Sequence, residues 1–108
     1  MKSLFTIEMD FRKAKSQANE LDSLADRLNN LANNDFTSNM DLVKTSWEGA
    51  ASDQYVKKSE AVYDRMKTSS GDLRKAASAI RTIAENTYRA EMEAYRIAME
   101  RTYGGSSH

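Results

Sequence analysis

The sequence predicts an all-α protein: an antiparallel helix-turn-helix hairpin that dimerises into a four-helix bundle. Three observations predict it. The 108 residues include no Pro, only four Gly and 30% charged residues, a composition that runs in long unbroken helices. Apolar residues recur at alternating steps of three and four along two long stretches. Between these stretches lies Trp47-Glu48-Gly49, which holds the only Trp and a Gly suited to a tight reversal.

The first stretch reads Phe11, Ala14, Ala18, Leu21, Ala25, Leu28, Ala32. This is a heptad seam, the pattern of a helix packed lengthwise on another helix. Leu24 and Leu31 sit beside the seam and widen it. Asn29-Asn30 and Asn33-Asn34-Asp35 are weak helix formers, so fraying or a register shift is expected there. The stripe resumes through Phe36, Met40, Val43 and Trp47, giving a first helix over about 10–46.

After the turn the pattern restarts. Tyr55, Val62, Met66, Leu73, Ala76, Ile80, Ile83, Ala90, Ala94 and Ile97 fall on one three-four series, with Val56, Tyr63, Ala77 and Ala84 on its flank. Acid-to-base pairs four apart, such as Glu85 and Arg89, support the polar side. Thr68-Ser69-Ser70-Gly71 is the weak point, but the apolar series keeps its phase across it. A second helix over about 51–101 is expected, followed by a flexible 104–108 tail, the whole making one hairpin domain over 1–103.

Two rods cover only the strip where they touch. The apolar stripes are wider than that strip, which leaves Phe11, Leu24, Leu31, Val56 and Tyr63 as an exposed patch. A second hairpin solves the problem, so a homodimer or a heterodimer with a sibling hairpin is expected. Its core and interface residues are Phe11, Leu21, Leu24, Leu28, Leu31, Val62, Met66, Leu73, Ile80 and Ile83. Leu28 and Ile80 lie well inside the two series, so truncating either is expected to cost about 2–5 kcal/mol.

Composition excludes several functions. Lys plus Arg and Asp plus Glu each number 16, so there is no cationic surplus for nucleic acid or a membrane surface. Cys is absent, and the single His is His108, which leaves little for catalysis or a metal. Neither an enzyme nor a cofactor is expected. Acid clusters such as Glu91 with Glu93, and Asp22 with Asp26, read as solvated helix faces. The N-terminal stretch has no apolar run of signal-peptide length, so any export is expected to use another route.

Read alone, Trp47 is a turn aromatic capping the end of a bundle. With Glu48-Gly49, its mid-chain place and the chain length, it resembles the WXG family of helical hairpins exported by type VII (ESX-like) secretion systems. Met9-Asp10-Phe11 through Leu21-Asp22-Ser23-Leu24-Ala25 is similar to Gram-positive members, as is Ile80-Arg81-Thr82-Ile83-Ala84-Glu85-Asn86-Thr87-Tyr88. The resemblance covers nearly the whole chain. It implies a hairpin that dimerises in the cytoplasm and is secreted folded, without a cleaved signal peptide. It also implies a composite export signal, read by the membrane ATPase of the secretion machine, in which Trp47 and Gly49 meet the partner's C-terminal helix end. Members act as secreted effectors or accompany a larger one.

The sequence departs from the family at the C-terminal signal, a Tyr followed four residues later by an acid. Tyr88 meets Met92 at that distance and Tyr95 meets Met99. Tyr88 with Glu91, three apart on one helix face, is the variant the resemblance leaves. Otherwise Tyr88 is a half-buried bundle residue and Glu91 a surface acid. A chain lacking its own complete signal is expected to ride with a partner that has one. The alternative function is an intracellular coiled-coil adaptor with no export role. A third reading is an amphipathic protein that binds lipid when its dimer opens.

Overall fold

The computed structural model describes residues 2–46 and 49–105, with side chains described for 2–46, 49 and 53–102. Trp47, Glu48 and Ser106–His108 lie outside the described residues. Among the described residues there is helix and no strand. Helix α1 spans Leu4–Asn30, a π-helical turn spans Leu31–Phe36, α2 spans Thr37–Ser46 and α3 spans Ala50–Gly105.

Helix α1 starts before the expected position near Asp10 because Ser3 caps it. The Ser3 Oγ accepts a hydrogen bond from the Thr6 backbone N–H at 3.2 Å, satisfying one of the four N–H groups a helix start leaves orphaned. The Ile7 N–H then reaches the Ser3 carbonyl at 3.0 Å. The cap draws Ile7 into the helix, where it becomes the largest fully buried side chain among the described residues.

The Asn-rich segment does shift register. Residues Leu31–Phe36 form π-helix, and the Thr37 hydroxyl donates to the Ala32 carbonyl, five residues back, at 2.9 Å. Helix α3 crosses Thr68-Ser69-Ser70-Gly71 without interruption, and a Cβ added at Gly71 would meet nothing within 4 Å. It also runs to Gly105 rather than stopping near Arg101, so the first two residues of the expected tail are helical. Gly49 has φ +90°, a left-handed conformation that costs L-residues a Cβ clash. Its carbonyl accepts from the Asp53 N–H at 3.2 Å, which opens α3.

The chain divides into two compact units, residues 20–76 and residues 1–19 with 77–108. The first unit is an antiparallel hairpin. Ala25 and Ala32 on one arm and Ser59 and Ser70 on the other are its buried residues. The Ser70 hydroxyl donates to the Ala25 carbonyl at 2.9 Å, a side chain-to-backbone contact that only closely spaced helices make. In the second unit α1 and α3 are again antiparallel, with Ile7, Ala18, Ala77 and Ala84 buried. Phe11 stacks on Tyr88 with ring centroids 4.5 Å apart, and the Lys15 ammonium lies over the Phe11 ring, 5.3 Å from its centroid.

Apart from Ile7 near the start of α1, the buried seam of both units is built of small side chains. Interaxial distance follows the residues at the contact, and Ala against Ala or Ser brings the backbones close. Longer side chains do not fit between them and splay outward. On α3 the fully buried seam runs through two flank positions and not through the main series. The flank residues Ala77 and Ala84 face the seam, while Tyr55, Val62, Ile83 and Ile97 of the main series stand exposed. Leu28 and Ile80 are half-buried, so their truncation costs less in the single chain than the sequence suggests.

Candidate partner-docking face

The hairpin of residues 20–76 has two unlike edges. On the first arm, Asp26 and Asn29 of α1 and Asn33 of the π-helical turn recur three and four residues apart and fall on one side of Ala25 and Ala32. Across from them Arg74 pairs with Asp26, Lys67 donates to Asn29 and to Asn33 (3.2 Å), and the Tyr63 hydroxyl donates to Asn33 at 3.0 Å. Phe36 packs against Tyr63 with centroids 6.3 Å apart. These rungs close one edge with polar contacts.

With a helical step of about 100° per residue, the rungs on α3 lie about 20–60° to one side of Ser70. Met66, Leu73 and Val62 lie on the opposite side. On α1 and into the π-helical turn the same step puts Leu21, Leu24, Leu28 and Leu31 opposite the Asn and Asp rungs. Because the rungs join the two helices along one edge, the leucines and their α3 counterparts share the other. Leu24 (47%), Leu31 (46%) and Val62 (44%) are exposed there, and Leu21, Leu28, Met66 and Leu73 are half-buried. Exposed apolar side chains thus recur along the edge that carries no rung.

In the other unit Ile80 is half-buried and Ile83 is 63% exposed. With Ile7, Phe11, Ala14 and Ala84 they line an open apolar groove of about 220 Å³, whose rim carries Asp10, Tyr88 and Glu91. The Lys2 ammonium sits between the rim carboxylates, 2.8 Å from Glu91 and 3.0 Å from Asp10. Hydrogen bonds to Glu91 first and Asp10 second raise the Lys2 pKa above 10.5. Arg81 donates to Asn19 at 2.8 Å.

The expected export residues are thus placed unevenly. Tyr88 and Glu91 share a groove rim, but Tyr88 is half-buried against Phe11 and Glu91 is ion-paired with Lys2. Gly49 is exposed at the start of α3, while Trp47 lies outside the described residues. Asp26 and Glu93 are solvent-exposed, as read, and pair at the surface with Arg74 and Arg96, while Glu91 is half-buried and pairs with Lys2. The rungs themselves went unread. Their signal was available as Asp26, Asn29 and Asn33 on one helix and Tyr63, Lys67 and Arg74 on the other, each set at helical spacing.

Among the described residues no three His, Cys, Asp or Glu side chains converge to hold a metal, and no helix is long and apolar enough to cross a membrane. Compared with known protein families, curated proteins and solved structures, the chain matches none of them.

Proposed function

We propose that this chain acts by protein–protein association, as a type VII secretion substrate or the co-secreted helical partner of a larger effector. The leucine edge is its docking surface, and a second hairpin, identical or sibling, covers it to make a four-helix bundle. The observation that supports association is that Leu24, Leu31 and Val62 stay exposed beside a seam of small residues. A seam of Ala and Ser buries little apolar area, so a partner supplies burial that one hairpin lacks. The export half of the reading rests on the resemblance around Trp47-Glu48-Gly49 and on the Tyr88 and Glu91 pair. In it the chain is cytoplasmic before export, and the membrane ATPase of the secretion machine reads Trp47 and Gly49 with a C-terminal helix end.

Two measurements test the halves separately. Light scattering at micromolar concentration is expected to give twice the single-chain mass of 12.2 kDa, or to do so once a sibling hairpin is added. A fixed single-chain mass under both conditions overturns association. For export, Trp47→Ala is expected to remove the protein from culture supernatant while its circular dichroism and melting curve stay unchanged. Normal export of the folded variant overturns the signal. Retention of the unsubstituted protein in intact cells, with the association intact, favours an intracellular adaptor.

A further inference from the structure

Within the hairpin of residues 20–76, the leucine edge is bordered by charges in a definite order. On α1, Glu20 and Arg27 lie about 140–160° round the helix from the buried Ala25, on the leucine side. On α3, Arg65 and Asp72 lie about 140–160° round from the buried Ser70, again on the side of Val62 and Leu73. All four are exposed, and none has an ion-pair partner among the described residues. The Ser70 hydroxyl bonds the Ala25 carbonyl, which sets these two residues level. Because the arms are antiparallel, Glu20 and Asp72 fall on one side of that level, and Arg27 and Arg65 on the other. The edge is acidic at one end and basic at the other.

Such an edge complements itself when one copy is turned end for end. A two-fold axis at right angles to the helices lays α1 on α1 and α3 on α3. Centred at Leu24, it sets that residue against its own copy and Leu21 against Leu28, with Glu20 beside Arg27. Centred at Ser69, it sets Met66 against Leu73 and Val62 against Ala76, with Arg65 beside Asp72. Leu24 and Ser69 each lie one residue from the level pair Ala25 and Ser70, so the two centres differ by about 3 Å along the hairpin. One axis serves both helices. An axis running along the helices lays α1 on α3 instead, and brings Glu20 nearest Asp72 and Arg27 nearest Arg65, like charge on like. A sibling hairpin requires no such symmetry in this edge, whereas a second copy does.

We infer that the leucine edge takes a second copy of this chain, turned end for end, with Glu20 and Asp72 of one copy beside Arg27 and Arg65 of the other. This rests on the reading of that edge as a docking surface and names what covers it. The apolar pairs supply the burial, and the charges choose the orientation.

The absence of Cys from the chain makes the test direct. Leu24→Cys and Leu31→Cys replace two similarly exposed residues of the edge. The axis puts the thiols at 24 face to face and those at 31 about 21 Å apart along the bundle. A short bis-maleimide is expected to link the copies through position 24 on the order of tenfold faster than through position 31. Equal or reversed rates in a protein of doubled mass overturn the axis and leave association standing. Charge reversal gives a second reading. Glu20→Arg sets like charges together twice in the dimer and is expected to raise its dissociation constant on the order of tenfold. Adding Arg27→Glu restores the pairing and the affinity. Absence of rescue, with circular dichroism unchanged, overturns the inference. So does a single-chain mass for the purified protein at micromolar concentration; if a sibling hairpin then doubles the mass, the docking-surface reading survives without self-pairing.

Discussion

Along one edge of the hairpin formed by residues 20–76, Asp26, Asn29 and Asn33 reach across to Arg74, Lys67 and Tyr63. Along the other, Leu24, Leu31 and Val62 stand exposed with Leu21, Leu28, Met66 and Leu73 half-covered beside them. Both edges flank the same seam of small residues. The polar edge uses directional groups, and a one-residue slip would leave its rungs unpaired, so it fixes how the arms line up. The leucine edge makes no directional demand and gains only when water is excluded from it. The chain sets its own register on one side and leaves apolar surface exposed on the other.

The comparison breaks most sharply at the seam both edges share. Ala25 is fully buried and its carbonyl takes the Ser70 hydroxyl. Ala25→Leu forces the arms apart and is expected to cost about 1–3 kcal/mol in chemical denaturation. A cost near zero would show that the arms are not closely spaced. Gly71→Ala sharpens the polar edge from the helix side. Gly71 lies between Lys67 and Arg74 with open space around it, so the substitution is expected to stabilise by about 0.5–1 kcal/mol. Destabilisation would mean that α3 bends there.

Smaller effects separate the edges from each other. Arg74→Ala removes an exposed rung and is expected to cost no more than about 1 kcal/mol, the same at every protein concentration. Leu24→Ser is expected to stay within about 0.5 kcal/mol in dilute protein yet to flatten the rise of Tm with concentration. If Arg74→Ala altered the concentration dependence and Leu24→Ser did not, the roles of the edges would be exchanged. The smallest effect lies off both edges. The hydrogen bond from Arg96 lowers the Glu93 pKa below 4.5, so its contribution is present above that value and fades as pH falls through the lowered one. Circular dichroism of Arg96→Gln across that window is expected to lose the dependence.

The all-helical hairpin was legible because its signals are redundant: no Pro, two heptad series and a Gly between them. On the first arm the seam was legible too, since Ala18, Ala25 and Ala32 interrupt the larger residues at every seventh position. On α3 it was not. Hydropathy ranks Val62 and Ile83 above Ser59, Ser70, Ala77 and Ala84, yet close helix packing selects for size, and the small residues went inside. The start of α1 was missed because its cap, Ser3, lies outside the apolar series and acts through one hydrogen bond. The Asn-rich segment announced a register shift but not its form, which depends on what Phe36 and Asn33 meet on α3. Of the candidate site, Leu24 and Leu31 were readable as excess apolar surface. The engagement of Glu91 by Lys2 was not, because 89 residues of sequence separate the two.

A seam of this kind also sets how such a chain can drift through evolution. At Ala18, Ala25, Ala32, Ser70, Ala77 and Ala84 every larger side chain pushes the helices apart, while Gly loosens the helix itself. These positions have almost no freedom. The leucine edge, by contrast, is half open to solvent and accepts most exchanges among Leu, Ile, Met and Val. Descendants of this sequence are expected to keep a seven-residue beat of small residues and to scramble the large ones, so kinship among them is written in the residues that contribute least to hydropathy.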